Sequence, residues 1–252
     1  MKIQFCSDLH VEVHRSNYHL KKTDADVIVL AGDIHTGIEA IEFAAQESTK
    51  QDKPVIIVAG NHEFYGHDYH HILSKMREAA SSHQLVHFLE NDDVIIDNTR
   101  FIGCTLWTDY FGLNPEYQAI NMAYCGRLLR DHVVIRDKNK NFTPKDALAL
   151  CLASKDYLDR KLNASFSGKT VVVTHHGPSL ACQHKQYRFS EISTAFISDL
   201  DSLVRKADLW IYGHTHSNLY TKVGNCRLVS NQLGYPNEDI PVPFRANWVV
   251  EL

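Results

Sequence analysis

The sequence has no excess of positive charge. It carries 26 lysine and arginine residues against 30 aspartate and glutamate residues, which gives a formal net charge of −4. This balance provides no global basic field and so disfavours broad binding to nucleic acids or anionic membranes. No uninterrupted stretch approaches the ~20 apolar residues of a membrane helix, and the apolar run after Met1 is too short for a signal peptide. We therefore expect a soluble, cytoplasmic protein with no membrane partner.

Paired cysteines, internal repeats and low-complexity tracts are also missing. The six cysteines are scattered without a C-x-x-C pair, so they form neither a zinc-ribbon pattern nor an obvious disulfide framework. We expect them to be buried, reduced thiols. With 252 residues, of which 44% are hydrophobic, the chain can bury a large core. We predict one domain spanning residues 1–252.

Short apolar runs alternate with longer helical patterns, which indicates an α/β fold. Six runs are brief and rich in β-branched residues, as buried strands are; they cover residues 3–5, 27–30, 55–58, 101–105, 171–174 and 209–212. Helices are predicted at residues 37–50, 68–81, 144–162 and 194–206.

The end of the chain changes character. Residues 219–223, 227–230 and 248–251 are typical of antiparallel strands, and Gly224 and Asn225 suit a tight turn between the first two. The least regular segment covers residues 108–142. Its aromatic side chains suggest a cap or lid near a site.

Five polar clusters follow these patterns, and each lies where a predicted strand ends. They are Asp8-Leu9-His10, Gly32-Asp33, Gly60-Asn61-His62-Glu63, His175-His176 and Gly213-His214-Thr215-His216. Because open α/β sheets place ligands at the carboxyl ends of their strands, this recurrence predicts one convergent site. Each cluster alone is compatible with an ordinary turn or a core histidine. All five together are hard to attribute to coincidence.

The ligand types in these clusters fit a hydrolytic metal centre. A set of His, Asp and Asn without thiolate suits Mn, Fe or Zn better than Ca. Phosphoester hydrolysis at neutral pH benefits from two adjacent cations, which make a hydroxide and neutralise the phosphoryl oxygens. In extended backbone, the i, i+2 spacing of Asp8 and His10, and of His214 and His216, would point both side chains to one side.

In this order, the clusters resemble those of the calcineurin-like metallophosphoesterase superfamily, from residue 6 to about residue 216. The resemblance implies an α/β, four-layer α/β/β/α sandwich with two central mixed sheets. It implies one metal held by Asp8, His10 and His216, a second held by Asn61, His175 and His214, and a bridging Asp33. It also implies that a metal-bridging hydroxide attacks phosphorus while His62, a catalytic residue rather than a ligand, assists the leaving group.

Departures from the family pattern narrow the substrate. Serine/threonine protein phosphatases of this superfamily carry a G-D-x-x-D-R-G element, whereas residues 32–37 read GDIHTG and lack its second Asp and its Arg. Residues 105–109, 209–214 and 231–235 instead resemble a group of small bacterial metallophosphoesterases. We therefore expect a phosphohydrolase, phosphatase or phosphodiesterase, that acts on a small phosphomonoester or phosphodiester such as a nucleotide.

Two alternatives remain open. One is a DNA or RNA nuclease, which would need a basic groove or a partner protein that the composition does not display. The other is a non-catalytic interaction scaffold of the same fold. The presence of every ligand position together with His62 argues against the scaffold.

Five side chains are candidate substrate contacts: Asn61, His62, His176, Arg188 and Trp107. Arg188 is suited to bidentate phosphate contact. Trp107 could stack on a base, or it could pack in the core or lid. For the pair of adjacent histidines, the family pattern assigns His175 to the metal and leaves His176 either to the pocket wall or to a position behind the metal ligands. Glu63 or another nearby carboxylate is expected to orient His62.

Overall fold

Two β-sheets lie at the centre of the fold. The structure is a computed structural model and describes residues 1–14 and 18–252. The strands are β1 Lys2–Cys6, β2 Val27–Ala31, β3 Val55–Val58, β4 Val86–Phe88, β5 Asp92–Ile96, β6 Thr99–Cys104, β7 Arg136–Asp137, β8 Lys140–Asn141, β9 Lys169–Thr174, β10 Leu209–Tyr212, β11 Tyr220–Val223, β12 Cys226–Ser230 and β13 Val249–Glu251.

Helices connect and cover these strands. They are α1 Val11–His14, α2 Glu39–Gln51, α3 Tyr69–Ser81, α4 Gln118–Leu128, α5 Asp131–Val134, α6 Pro144–Asn163 and α7 Asp201–Val204. Single 3₁₀ turns occur at His62–Phe64, Pro115–Tyr117, Leu180–Cys182 and Glu191–Ala195. The longest helix, α6, begins with a capping box in which the side chains of Thr143 and Asp146 each bond the other's backbone N–H, and Pro144 occupies its first turn.

Both large sheets are mixed. The first has the order β13-β1-β2-β3-β4 and is parallel except for β13, which runs antiparallel to β1. The second has the order β11-β12-β10-β9-β6-β5, with a parallel centre and antiparallel strands at both edges. A small β7-β8 hairpin stands apart from them.

Three apolar layers hold the elements together. Along β2, Val27 and Val29 join the layer between the two sheets, while Ile28 and Leu30 join the layer under α2 and α3. The outer face of the second sheet packs against Leu158 of α6 and neighbouring residues. Because the central strands are buried on both faces, they read as continuous apolar runs. The result is the predicted four-layer sandwich, so the predicted fold class is confirmed.

Most predicted elements are confirmed, and one is wrong. All six predicted strands, the three C-terminal strands and the helices α2, α3 and α6 are present within one or two residues. The predicted helix at 194–206 is wrong, because α7 is the only α-helix there and the range otherwise holds just the end of the 3₁₀ turn Glu191–Ala195. Ser198 and Leu200 instead donate their backbone N–H groups to Gly177 and Pro178. A tertiary backbone pairing thus overrides the helical pattern. The strand β12 is antiparallel to β11 only, since it runs parallel to β10.

Segment 108–142 contains α4, α5 and the β7-β8 hairpin. It is anchored in the core by Tyr110, Cys125, Ile135 and Phe142, which are all buried in the apolar layer beside the first sheet. The six cysteines are buried and free, as predicted. Among the described residues, no helix has both the length and the apolar character needed to cross a membrane.

Candidate metal centre

Turns after five strands bring the polar clusters to one place. Asp8 and His10 follow β1, Asp33 follows β2, Asn61 follows β3, His175 follows β9, and His214 and His216 follow β10. Both sheets therefore supply residues to the same edge, as expected for the carboxyl ends of parallel strands. The five residues from the first four turns are 0–4% exposed.

The backbone presents these side chains in a different way from that predicted. Asp8, His10, Asp33, His214 and His216 all have positive φ angles, between 42° and 67°. The expected extended backbone at the two i, i+2 pairs is therefore wrong, although each pair does point into one site. Tertiary hydrogen bonds hold this conformation: Asp8 and His10 donate their backbone N–H groups to the carbonyls of residues 32 and 33, at 3.0 and 3.1 Å.

Two glycines permit the close approach of the turns. A Cβ at Gly32 would lie 2.5 Å from Nδ1 of His175, and φ at this residue is +85°. A Cβ at Gly60 would collide with Oδ1 of Asp33 and lie 2.7 Å from Cε1 of His175. Only glycine fits at these positions, because any side chain would push apart the residues that form the site.

One group of donors comes from β1 and β10. Nε2 of His10 lies 3.2 Å from Nε2 of His216, and Nε2 of His216 lies 3.3 Å from Oδ1 of Asp8. Nδ1 of His216 donates to Oε2 of Glu238 at 2.6 Å. The free electron pair of the neutral His216 ring therefore faces Asp8 and His10.

A second group comes from β3, β9 and β10. Nε2 of His175 lies 3.1 Å from Oδ1 of Asn61 and 3.1 Å from Nδ1 of His214. Nδ1 of His175 donates to the backbone carbonyl of Ala31 at 2.9 Å. Since a carbonyl only accepts, Nε2 of the neutral His175 ring is also an acceptor.

Asp33 lies between the two groups. Its Oδ1 is 3.4 Å from Nε2 of His175, and its Oδ2 is 3.9 Å from Nε2 of His10. Oδ1 also accepts the backbone N–H of His62 at 2.8 Å, which fixes the carboxylate. One oxygen thus faces each group, the arrangement that a bridging ligand requires.

These donors fit metal cations. Ligands about 2.1 Å from one cation lie roughly 3.0–3.4 Å apart, which matches most of the separations within each group. Burial disfavours a charged ring, yet Asp33 raises the pKa of His175 to about 9, and the hydrogen bonds that Asp8 and Glu238 accept from the ring raise the pKa of His216 to about 10. A positive charge is therefore favoured at both positions, and a metal would take the place of those protons.

His62 stands beside the donors. Its Nδ1 lies 2.9 Å from Oε1 of Glu12, and its Nε2 lies 2.9 Å from the hydroxyl of Tyr235. Burial disfavours the charged ring, but the charges of Asp33 and Glu12 outweigh it and raise the pKa of His62. His62 can therefore hold a proton whose position is set by Glu12.

Glu63 does not orient His62. Its carboxylate accepts the backbone N–H groups of Gly60, Asp33 and Ile34, at 2.6, 3.0 and 2.8 Å. It therefore ties the turn after β3 to the turn after β2. The orienting carboxylate is Glu12, two residues beyond His10, and the signal that could have found it is the extended spacing D-x-H-x-E.

A cavity of about 640 Å³ opens onto the donors. Asp33, Asn61, His62, His214 and His216 line its base, and Arg188 lines its wall. Three parts of the chain form the outer walls. They are residues 128–131 of segment 108–142, residues 183–197 of the loop after β9, and residues 235–238 of the stretch after β12.

The structure does not bring Trp107 and His176 to this cavity. Trp107 is 2% exposed and packs against Phe142, with ring centroids 4.8 Å apart. His176 is 1% exposed and lies under the ring of His214, at 4.1 Å. Both lie in the core behind the base of the site, and neither lines the cavity as the predicted substrate contacts would.

Sequence reasoning missed three further residues of the site. Glu238 orients His216, Tyr235 contacts His62, and Asp131 accepts a hydrogen bond from Nδ2 of Asn61 at 3.0 Å. Glu238 and Asp131 stand in no motif or periodic pattern, so the sequence carries no signal for them, whereas Tyr235 ends the stretch 231–235 that resembles small metallophosphoesterases.

This chain is similar to several known proteins. A viral relative, an uncharacterized protein of Acanthamoeba polyphaga mimivirus, is 26% identical over 94% of this chain and 92% of its own length. The phosphopantetheinyl hydrolase of Mycobacterium tuberculosis has a similar fold, with a TM-score of 0.71, 18% identity and coverage of 93% of this chain and 90% of that chain. The Thermus thermophilus protein TT1561 is more distant, with a TM-score of 0.54, 12% identity and coverage of 92% and 88%.

The family model for calcineurin-like phosphoesterases matches residues 1–218, a range that contains all five clusters. The chain therefore belongs to the calcineurin-like phosphoesterase family.

Proposed function

We propose that this protein is a binuclear metallophosphohydrolase. Asp8, His10 and His216 would hold one metal, and Asn61, His175 and His214 the other, with Asp33 shared between them. The observation that carries the proposal is the position of Asp33, which presents one oxygen to each of two groups of converging donors. Because the donors are nitrogen and oxygen atoms without thiolate, Mn, Fe or Zn is the expected metal.

The chemistry divides between the metals and the chain. When bound, the two cations supply Lewis acidity, which activates water and neutralises phosphoryl oxygens. His62 would act on the leaving group: Glu12 fixes its Nδ1, and its Nε2 would exchange its 2.9 Å contact with the Tyr235 hydroxyl for the leaving oxygen in the cavity that both residues line. A protonated His62 donates from Nε2 to the leaving oxygen and stabilises the charge that develops there.

The cavity supports a small phosphoester as the substrate. Its volume of about 640 Å³ lies in the range of small-molecule sites. Its outer wall is apolar at Leu128, Ile192 and Phe196, and Arg188 adds a group that can bind phosphate. An ester with an extended, partly apolar arm fits this wall. The phosphopantetheinyl group named for the similar Mycobacterium tuberculosis hydrolase is one such arm, and a nucleotide is another candidate.

The domain organisation follows from the same cavity. Residues 1–252 would form one domain, and segment 108–142 would border the site, since residues 128–131 line the cavity.

A nuclease remains the second enzymatic candidate, but the net charge of −4 offers it no general attraction for a polyanion. A scaffold without activity would not need His62 and its Glu12 partner.

The test is a metal-reloading assay. Chelated protein, reloaded with Mn²⁺, is assayed on p-nitrophenyl phosphate, bis-p-nitrophenyl phosphate, cyclic nucleotides, a phosphopantetheine ester and short DNA. We expect Mn²⁺-dependent hydrolysis of a small ester, loss of that activity in Asp33→Asn, and no change in the control Asp24→Asn, which alters an exposed residue paired with Lys2. Preferential cleavage of DNA would favour the nuclease. A protein that holds two metals and hydrolyses nothing would favour the scaffold.

A further inference from the structure

Asn61 is the one amide side chain among the proposed metal ligands. An amide can present either its oxygen or its NH₂ group to a cation, and only the oxygen binds one. The side chain therefore needs partners that decide which end faces the metal. Those partners lie on the side of Asn61 that faces away from His175.

Both hydrogens of the Asn61 amide are taken up on that side. Nδ2 lies 3.0 Å from Oδ1 of Asp131 and 2.9 Å from the hydroxyl of Tyr65. The Tyr65 hydroxyl in turn donates to Oδ1 of Asp131 at 2.6 Å. Each hydrogen of Asn61 and Tyr65 therefore has one acceptor, and the small network is fully satisfied.

A flipped amide would break this network. Oδ1 of Asn61 would then face the Asp131 carboxylate, which has no hydrogen to donate, and NH₂ would face Nε2 of His175. Asp131 is 6% exposed, so water cannot readily relieve the resulting repulsion. The carboxylate thus forces the amide oxygen toward the metal donors.

The position of Asp131 is itself well fixed. It is the first residue of α5, and Ile135 donates its backbone N–H to the carbonyl of Asp131. Gly66 and Arg136 then pair their backbones with Val134 and His67. The end of segment 108–142 is therefore tied to the stretch that directly follows Asn61.

We infer that Asp131 is a positioning residue for the second metal, because it holds the Asn61 amide in the orientation that binds a cation. The inference rests on the proposed function, since it requires the binuclear site. It gives segment 108–142 a role in building the metal site in addition to bordering the cavity. Outer partners of metal ligands commonly change metal affinity by 10- to 100-fold.

The experiment measures the affinity for Mn²⁺ by competition with a chelator, together with metal stoichiometry. In Asp131→Ala, we expect the second equivalent of Mn²⁺ to bind about 10- to 100-fold more weakly and the first to be unchanged. In Asp131→Asn, the new amide oxygen can still accept from Asn61 and Tyr65, so most of the affinity should return. Glu116→Ala is the matched control, because it removes an exposed carboxylate from the same segment.

The outcomes separate this inference from the proposed function. Wild-type protein that binds fewer than two equivalents contradicts the binuclear proposal. Wild-type protein with two equivalents and an Asp131→Ala variant of unchanged affinity overturns the role of Asp131 alone. Should Asp131→Ala fail to fold by circular dichroism, Asp131→Ser, which leaves room for a water, takes its place. An unchanged affinity in that variant overturns the inference equally.

Discussion

Replacing Glu12 tests the leaving-group role of His62 while every proposed metal ligand is kept, and metal content must be followed because Oε1 of Glu12 also lies 3.6 Å from Nδ1 of His10. Oε1 of Glu12 accepts from Nδ1 of His62 at 2.9 Å, and its carboxylate is largely shielded from solvent. Burial disfavours the charge of Glu12, but the two neighbouring histidine rings outweigh it and lower its pKa to about 2. Glu12 is therefore a full negative charge against His62 at any working pH.

The size of the effect follows from this contact. A hydrogen bond to a charged group contributes about 1.5–3 kcal/mol, which corresponds to roughly 10- to 150-fold in rate. Glu12→Ala loses the whole contact and should approach the upper value. Glu12→Gln keeps an acceptor oxygen and should stay near the lower value. Because Glu12 raises the pKa of His62, its loss lowers that pKa, so the decline of kcat at alkaline pH should begin at a lower pH.

The assay compares two leaving groups. A nitrophenolate leaves without a proton, whereas an alkoxide needs one, so the loss in Glu12→Gln should be large for alkyl phosphoesters and small for p-nitrophenyl esters. Metal content should stay at the wild-type level, and Glu42→Gln, on the exposed face of α2, is the control. Equal losses for both leaving groups, or loss of metal, would refute the reasoning.

Four shorter predictions concern the metals. Asn61→Ala should lose metal and activity together, whereas His62→Ala should keep both metals while turnover falls ~10²-fold or more; metal analysis beside kinetics checks both. His175→Ala should lose about one equivalent of metal and His176→Ala none, after identical reloading. Glu238→Gln should weaken one metal site by about 10- to 100-fold in a chelator competition. Chelation should lower the melting temperature by roughly 5–10 °C, since saturation at 100 times Kd contributes about 2.7 kcal/mol; an unchanged melting curve would contradict metal binding.

The sequence predicts the sheets and the ligand clusters well because both are local. Each buried strand is a short apolar run. The polar residues of the site occupy the first few positions after such a strand, so strand and cluster are recognised together in the sequence. The strands β4 and β5 were not predicted. In β5, Asp92 and Asp93 interrupt the apolar pattern, because this edge strand faces solvent on one side.

The residues that support the ligands could not be predicted, because their contacts join distant parts of the chain. Glu12 meets His62 across 50 residues, and Tyr235 meets the same ring across 173. The first pair joins turns of the first sheet, and the second joins the two sheets. No local pattern in the sequence records either arrangement. Trp107 illustrates the converse: an aromatic residue near a motif is compatible with substrate stacking, and only its 2% exposure identifies it as core.

Backbone conformation explains why the two spaced pairs converge on one site, although the extended backbone that the spacing argument assumed is absent. Two residues of a strand share a face at i, i+2, yet Asp8 and His10 lie in turns with left-handed φ. For a residue other than glycine, such a conformation costs of order 1–3 kcal/mol, so it persists only where the surroundings determine it. Here Glu63 contributes, because its buried carboxylate accepts three backbone N–H groups and ties two ligand-bearing turns together. The Glu of the G-N-H-E cluster therefore acts on the shape of the site, whereas the role proposed for its neighbour His62 is chemical.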